Sequence, residues 1–416
     1  MAGEETVLSL DCRGQKVPQA GLAILEAYNR LECGAQIEAR VDHLGPGLRM
    51  WLIEAGARHV AHQTDDGSWR ITVARALSPA QGKIPGLHHL EVAQDRVWAC
   101  ERASRLACFD AASGDLVDSV DIAETASHLA VDPRGKSVFV ADPGTDRIIS
   151  VSTDNFIIED SWPAPGLPQL PLVTEDGMVC VTGGATGTLT IARPKDGLWR
   201  DQTIEVGNTP HDPLVAPDGA HLFVPCAGDA TVVKVRLSDG KILGTYPVGA
   251  GPAHMSAHPD GTRIYSANTF DGTLSSLSPE GDVLGTVPSG AWAHAVEATH
   301  DGRHVLVANF FDDTVTVFDA MSLERLALWQ SDVYPHGLDL SPDGRFAVVG
   351  GFSSDYVRLF DLHAMVEKSR IEVGRGSSHT AFTEDGQTAF VACSVDDHVA
   401  RVDLASGECT GHLSLP

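Results

Sequence analysis

From about residue 84 onward the chain repeats itself every 42 residues or so, and no other feature limits its fold as tightly. Turn glycines stand at positions 135, 177, 219, 261, 302, 344 and 386, each 41 or 42 residues after the last. Pro217-Asp218-Gly219, Pro259-Asp260-Gly261, His300-Asp301-Gly302, Pro342-Asp343-Gly344 and Glu384-Asp385-Gly386 mark the same turn, with Pro133-Arg134-Gly135 and Glu175-Asp176-Gly177 as variants. Each unit alternates four short apolar strands with such turns. A unit of this size cannot bury a core alone, so its copies must stack side by side. A further copy at Leu87 to Ile122 has its first turn shortened around Gln94-Asp95-Arg96. The last copy closes with a strand from about Glu408 to Leu415. The pattern predicts an eight-bladed β-propeller over residues 79–416.

Residues 1–78 read differently. Val7 to Cys12, Ile37 to Asp42, His59 to Gln63 and Trp69 to Ala74 alternate as strands, the last two paired across Asp65-Asp66-Gly67. Pro18 opens a helix whose buried face falls to Leu22, Ala23, Leu25, Ala27 and Leu31 and which ends at Gly34. A second helix fits Leu48 to Ala55. The fold class is therefore mainly β, with a small β-α-β-α-β-β two-layer sandwich ahead of the propeller. Asp11, Arg13, Gly14, Pro18, Leu22, Gly34, Arg40-Val41-Asp42, Trp51 and Glu54-Ala55-Gly56 resemble the TusA-like sulfur-carrier family. That family carries sulfur on a cysteine in a Cys-Pro-x-Pro motif at the first helix start, where thiolate is stabilised. Here the motif reads Val17-Pro18-Gln19-Ala20, so the carrier cysteine is absent. Cys12, five residues upstream of that position, is expected to be a packed small residue rather than a substitute nucleophile. The resemblance implies a docking module for a protein partner and an association with small-molecule or protein-bound sulfur.

Charge narrows the partners. Lys plus Arg number 30 against 56 Asp plus Glu, a formal net charge of −26. Such a chain repels nucleic-acid phosphates and anionic membrane surfaces, so neither is expected as a partner. The 8 cysteines include no CxxC pair, no apolar run reaches spanning length, and the start lacks a basic and apolar leader. A cytoplasmic location is expected on those grounds.

Histidines collect at one place in the repeat. Seven residues before the turn glycine stand His128, His254 and His379, and eight before it stand His211, His294 and His336. His88 and His89 fill both positions in the first copy, while the third copy has Gln169 and Leu170. Chance would place fewer than one of the chain's 18 histidines in these 16 slots, and eight are found. A histidine at a strand start can also cap a neighbouring backbone. Propeller symmetry, however, brings equivalent positions together around the axis, and neutral imidazole is the commonest metal ligand. Because side chains alternate along a strand, the two groups converge only if the strand start is irregular. His88, His89, His128, His211, His254, His294, His336 and His379 are the candidate ligands for copper, iron or zinc, which the ligand type does not separate.

Glu91, Glu297 and Asp339 follow two residues after the inner slot and are candidate catalytic, proton-handling groups. Cys100, Cys226 and Cys393 end the second strand of their copies near the same mouth. Phe310, Phe311 and Phe352, with Phe270, follow in the next turn and could cover a planar cofactor or pack between blades. The repeats resemble YVTN-type propellers, carried by strands such as Val138-Phe139-Val140-Ala141-Asp142. The histidine count is similar to that of the copper-cluster propellers, and the blade count to that of the haem d1 propellers. Three functions follow: a metal-dependent oxidoreductase, a haem or haem d1 binding protein, and a non-catalytic scaffold. There is no GxSxG, HExxH or P-loop to suggest simple hydrolysis or nucleotide chemistry.

Overall fold

The computed structural model of the chain describes residues 7–15, 20, 23–24, 27, 35–42, 58–74, 87–101, 105–122, 125–195 and 198–414. Nine four-stranded sheets follow one another among them. The first is N-terminal. Val7–Asp11 runs parallel to Gln36–Val41, which pairs antiparallel with Trp69–Ala74, and Arg58–Gln63 forms the far edge. A parallel neighbour requires a crossover, and Ala20, Ala23, Ile24 and Ala27 are helical in that connection. Ala20, Ile24 and Ala27 bury one stripe at i, i+4, i+7 spacing. Of the side chains expected on that stripe, Ala27 is buried and Ala23 half-buried, and Ala20 and Ile24, not expected there, are buried as well. Leu22, Leu25, Leu31, Pro18 and the second helix lie outside the described residues.

The eight remaining sheets, here numbered one to eight, span 87–121, 129–163, 168–205, 214–247, 252–288, 293–330, 335–372 and 377–414. Each is antiparallel in simple up-and-down order. Their second and third strands are buried on both faces, as in Ser137–Asp142, so they read as near-continuous apolar runs. The fourth strands, such as Lys241–Pro247, alternate with solvent. Each consecutive pair of sheets shares a hydrophobic cluster. The series closes where Leu90, Val97 and Phe109 of sheet one pack with Phe390, Val399 and Leu413 of sheet eight. The repeat is thus a mainly β, propeller-like stack in which every sheet buries both faces against its neighbours.

The turn glycines of sheets two to eight have φ between 65° and 83°, the left-handed region that excludes most other residues. Sheet one instead turns through Gln94 and Asp95, both left-handed (52° and 57°), which is the two-residue hairpin geometry. Among the described residues no helix is long and apolar enough to cross a membrane.

Candidate metal centre

Three local devices set the candidate site. The first lies at the start of five inner strands, where the register slips. Leu87 pairs with Glu101 and His89 with Cys100, Pro252 with Asn268 and His254 with Ala267, so one extra residue is inserted each time. The same slip separates Ala293 from Val296, Pro335 from Leu338 and Ser377 from Thr380. Two residues therefore stand opposite one, a bulge that re-aims side chains. This explains the one-residue offset between the two histidine groups. His294 and His336 are the first residue of the bulged pair and His89, His254 and His379 the second, while His211 and His128 hold the same two slots in sheets four and two. In sheet seven the second is Gly337, where a Cβ would lie 2.1 Å from the carbonyl of Ser378.

The second device is a left-handed corner ten residues before the turn glycine. Leu167, Thr209, Gly251, Trp292, Tyr334 and Gly376 all have φ between 50° and 76°. For Leu, Thr, Trp and Tyr this is an uncommon and strained conformation. The third device holds the approach to that corner. Aspartates in the turn between second and third strands accept backbone N–H bonds from it: Asp229 from Asn208 (2.7 Å), Asp271 from Ala250 (2.8 Å), Asp312 from Ala291 (2.7 Å) and Asp396 from Arg375 (2.8 Å).

These devices bring seven histidines from seven sheets into one arc. Ring centroids run His128–His89 5.1 Å, His89–His379 4.9 Å, His379–His336 5.3 Å, His336–His294 4.8 Å, His294–His254 4.4 Å and His254–His211 5.1 Å. His128 and His379 also meet at 5.7 Å. The side chain of His88 lies outside the described residues. The arc is open at sheet three, which carries Gln169 in the corresponding strand. His294 is buried, and neither of its ring nitrogens has a hydrogen-bond partner.

Burial disfavours charge on three members of the arc. It pulls His89 down to about 4, and it pulls His294 and His379 well below the usual histidine range, helped by the neighbouring imidazoles. The exception is Asp212. Its oxygens lie 2.7 Å from His254 Nδ1 and 3.2 Å from His211 Nδ1. Burial would raise this carboxyl, but the two imidazoles hold it well below the carboxylate range. The donor atoms of His211, Asp212 and His254 all lie within 4.8 Å of one another. Asp212 was not among the residues singled out from sequence. It occupies one of the same 16 slots, and it is the single carboxylate there; counting histidines alone passes over it.

The three carboxyls singled out from sequence sit two residues further along their strands and hydrogen-bond to neighbouring sheets. Glu91 accepts from the Val131 N–H (2.8 Å), Glu297 from the Ser256 hydroxyl (3.1 Å), and Asp339 from the Thr380 N–H. Burial pushes them up to about 7, 8 and 7 respectively. The cysteines near the mouth are buried thiols. Burial pushes Cys226 and Cys393 up to about 12, and Cys100, Cys226 and Cys393 donate to backbone carbonyls. Cys12 is also buried, at 2% exposure, and its thiol is raised.

Phe310, Phe311 and Phe352 belong to an aromatic wall on one side of the arc, together with Phe270, Trp292 and Tyr334. Phe310 stacks on Tyr334 at 5.0 Å, Phe311 meets Trp292 at 4.9 Å, and Phe352 lies 5.8 Å from His336. Trp292 and Tyr334 were missed in the sequence. Their signal is an aromatic two residues before the histidine, in Trp292-Ala293-His294 and Tyr334-Pro335-His336.

A family model described as a lactonase, seven-bladed β-propeller, matches residues 200–331 and 329–414. The chain belongs to that family. Within the lactonase family's repeat it carries eight four-stranded sheets where the description counts seven blades. A 6-phosphogluconolactonase of Enterobacter sp. (strain 638) is 24% identical over 173 residues, which cover 38% of this chain and 52% of that protein. The chain thus matches about half the length of that curated relative. Among solved structures, dihydro-haem d1 dehydrogenase NirN in complex with DHE is similar at a TM-score of 0.60 and 15% identity, over 76% of this chain and 73% of that one. Hydrazine synthase of Kuenenia stuttgartiensis is similar at 0.55 and 17%, over 66% and 94%. A functionally unknown protein of Desulfotomaculum acetoxidans is similar at 0.55 and 16%, over 67% and 95%. At these identities the likeness is one of fold.

Proposed function

We propose that this chain is a metal-dependent redox protein, an eight-bladed propeller whose centre lies in the imidazole arc. The observation that supports the reading is the unbroken series of ring contacts from seven sheets. Seven imidazoles could not be protonated together at these distances, and burial favours the neutral form of His89, His294 and His379, the form that binds metal. The titratable groups acting on His89, His294 and His379 are the other imidazoles and Asp212. That donor set suits a cation better than the phosphate of a phosphosugar. Glu297 and Asp339, as buried acids close to neutral pKa, would hold protons for such a centre.

A second reading is haem or haem d1 binding. The wall of Trp292, Phe310, Phe311, Tyr334 and Phe352 beside His294 and His336 favours it, since a flat ring needs an apolar face and an axial imidazole. The test is elemental analysis with an absorption spectrum on tag-free protein. The expected result is about one or more equivalents of copper, iron or zinc per chain. Protein that is metal-free and takes up none of the three defeats the metal reading. A shifted haem band on adding tetrapyrrole selects the second.

A further inference from the structure

Resting on the metal reading above, the geometry points to the corner formed by His211, Asp212 and His254 as the seat of the ion. We infer a two-imidazole, one-carboxylate site for a divalent metal, with His294 as its fourth side-chain donor. The donors of one tetrahedral ion stand about 3.4 Å apart. The pairs His254 Nδ1–Asp212 Oδ2 and His211 Nδ1–Asp212 Oδ1, at 2.7 and 3.2 Å, are already close to that spacing. All three donors lie within 4.8 Å of one another, so small rotations complete the set. They come from two adjacent sheets whose bulges fix them, so the corner is built into the fold.

His294 supplies an independent pointer. It is 2% exposed, its ring lies 4.4 Å from that of His254, and neither of its nitrogens has a hydrogen-bond partner. A buried polar group left unsatisfied is costly and calls for a partner. An ion at the corner gives one nitrogen a bond.

The donor set also selects the metal. Two or three imidazoles with one carboxylate suit iron(II), zinc, cobalt(II) or manganese(II), while copper(I) favours soft sulfur donors. The opposite end of the arc, His89, His128 and His379, has no carboxylate in its slots. It is a chemically different set and the natural control.

The experiment is cobalt(II) titration of the metal-stripped full-length chain, read by calorimetry and by visible d–d absorption. Wild type is expected to bind one tight equivalent. Asp212→Asn should weaken it by at least about tenfold and His294→Ala should change the band. Asp212→Glu, the conservative variant, should retain binding, and apo thermal melts should show every variant folded. The triple variant His89→Ala, His128→Ala, His379→Ala should keep the tight equivalent. If Asp212→Asn binds like wild type and the triple variant does not, the ion sits at the other end. The corner is then wrong while the metal reading stands. If wild type binds no cobalt, zinc, iron or copper at all, both fall.

Discussion

Sheet three and its seven neighbours share one repeat and one period, yet only sheet three gives the arc no imidazole. Its bulge falls later, between Gln169 and Leu172, and Leu170 is left-handed at 42°. Its corner residue, Leu167, does something else: it is buried in the core of the N-terminal sheet, with Ala185 of the same blade packed alongside. In sheets six and seven the equivalent corners, Trp292 and Tyr334, point into the aromatic wall. The backbone device is common to all of them, and what the side chain meets differs from sheet to sheet. The sheet without a ligand is the one that holds the preceding domain.

The sharpest way to break this contrast is Leu167→Asp. A charge placed in the N-terminal core should cost that domain roughly 3 kcal/mol or more. Thr209→Asp, at the same corner of sheet four, should cost much less. Limited proteolysis of the two variants checks it; equal resistance would mean that Leu167 does not anchor the domain.

A smaller effect concerns the deeper carboxyls. Burial raises Glu297 from 4.5 to about 8. The folded state therefore holds a proton that the unfolded state releases between those values. The contribution to stability is fully present below pH 4.5 and is lost as pH rises toward 8. Glu297→Gln should flatten that part of a stability-against-pH curve, read by urea unfolding at several pH values. Metal affinity should run the other way, rising with pH, because ligands must be deprotonated.

The smallest expected change is in Gln169→His, which offers the arc an imidazole from its eighth sheet. It should raise metal affinity by no more than about tenfold if the ion sits at the neighbouring Asp212 corner, where the side-chain donors are already supplied. A much larger gain would place the ion at the gap.

Much of this was readable in the sequence because the repeat is regular. The turn glycines, the strand boundaries and the histidine slots all follow from a period of 42. The offset between the histidine groups could be stated but not resolved, since a bulge leaves no mark in the hydrophobic pattern. Asp212 was hidden by its residue type, although its slot was counted. Trp292 and Tyr334 were hidden because left-handed φ is anticipated at glycine, not at aromatics. In the N-terminal helix, Ile24 is buried beside Ala20 and Ala27, at a position the apolar pattern does not mark for the buried face.

The left-handed corner has a consequence for how such a molecule changes over time. In sheet six the corner residue Trp292 stands in the aromatic wall beside the arc, and the strand behind it is pinned by its own bulge and aspartate. Exchanging that residue alters what can approach the centre without disturbing the ladder of hydrogen bonds below. Selectivity and scaffold can therefore drift independently, one position at a time.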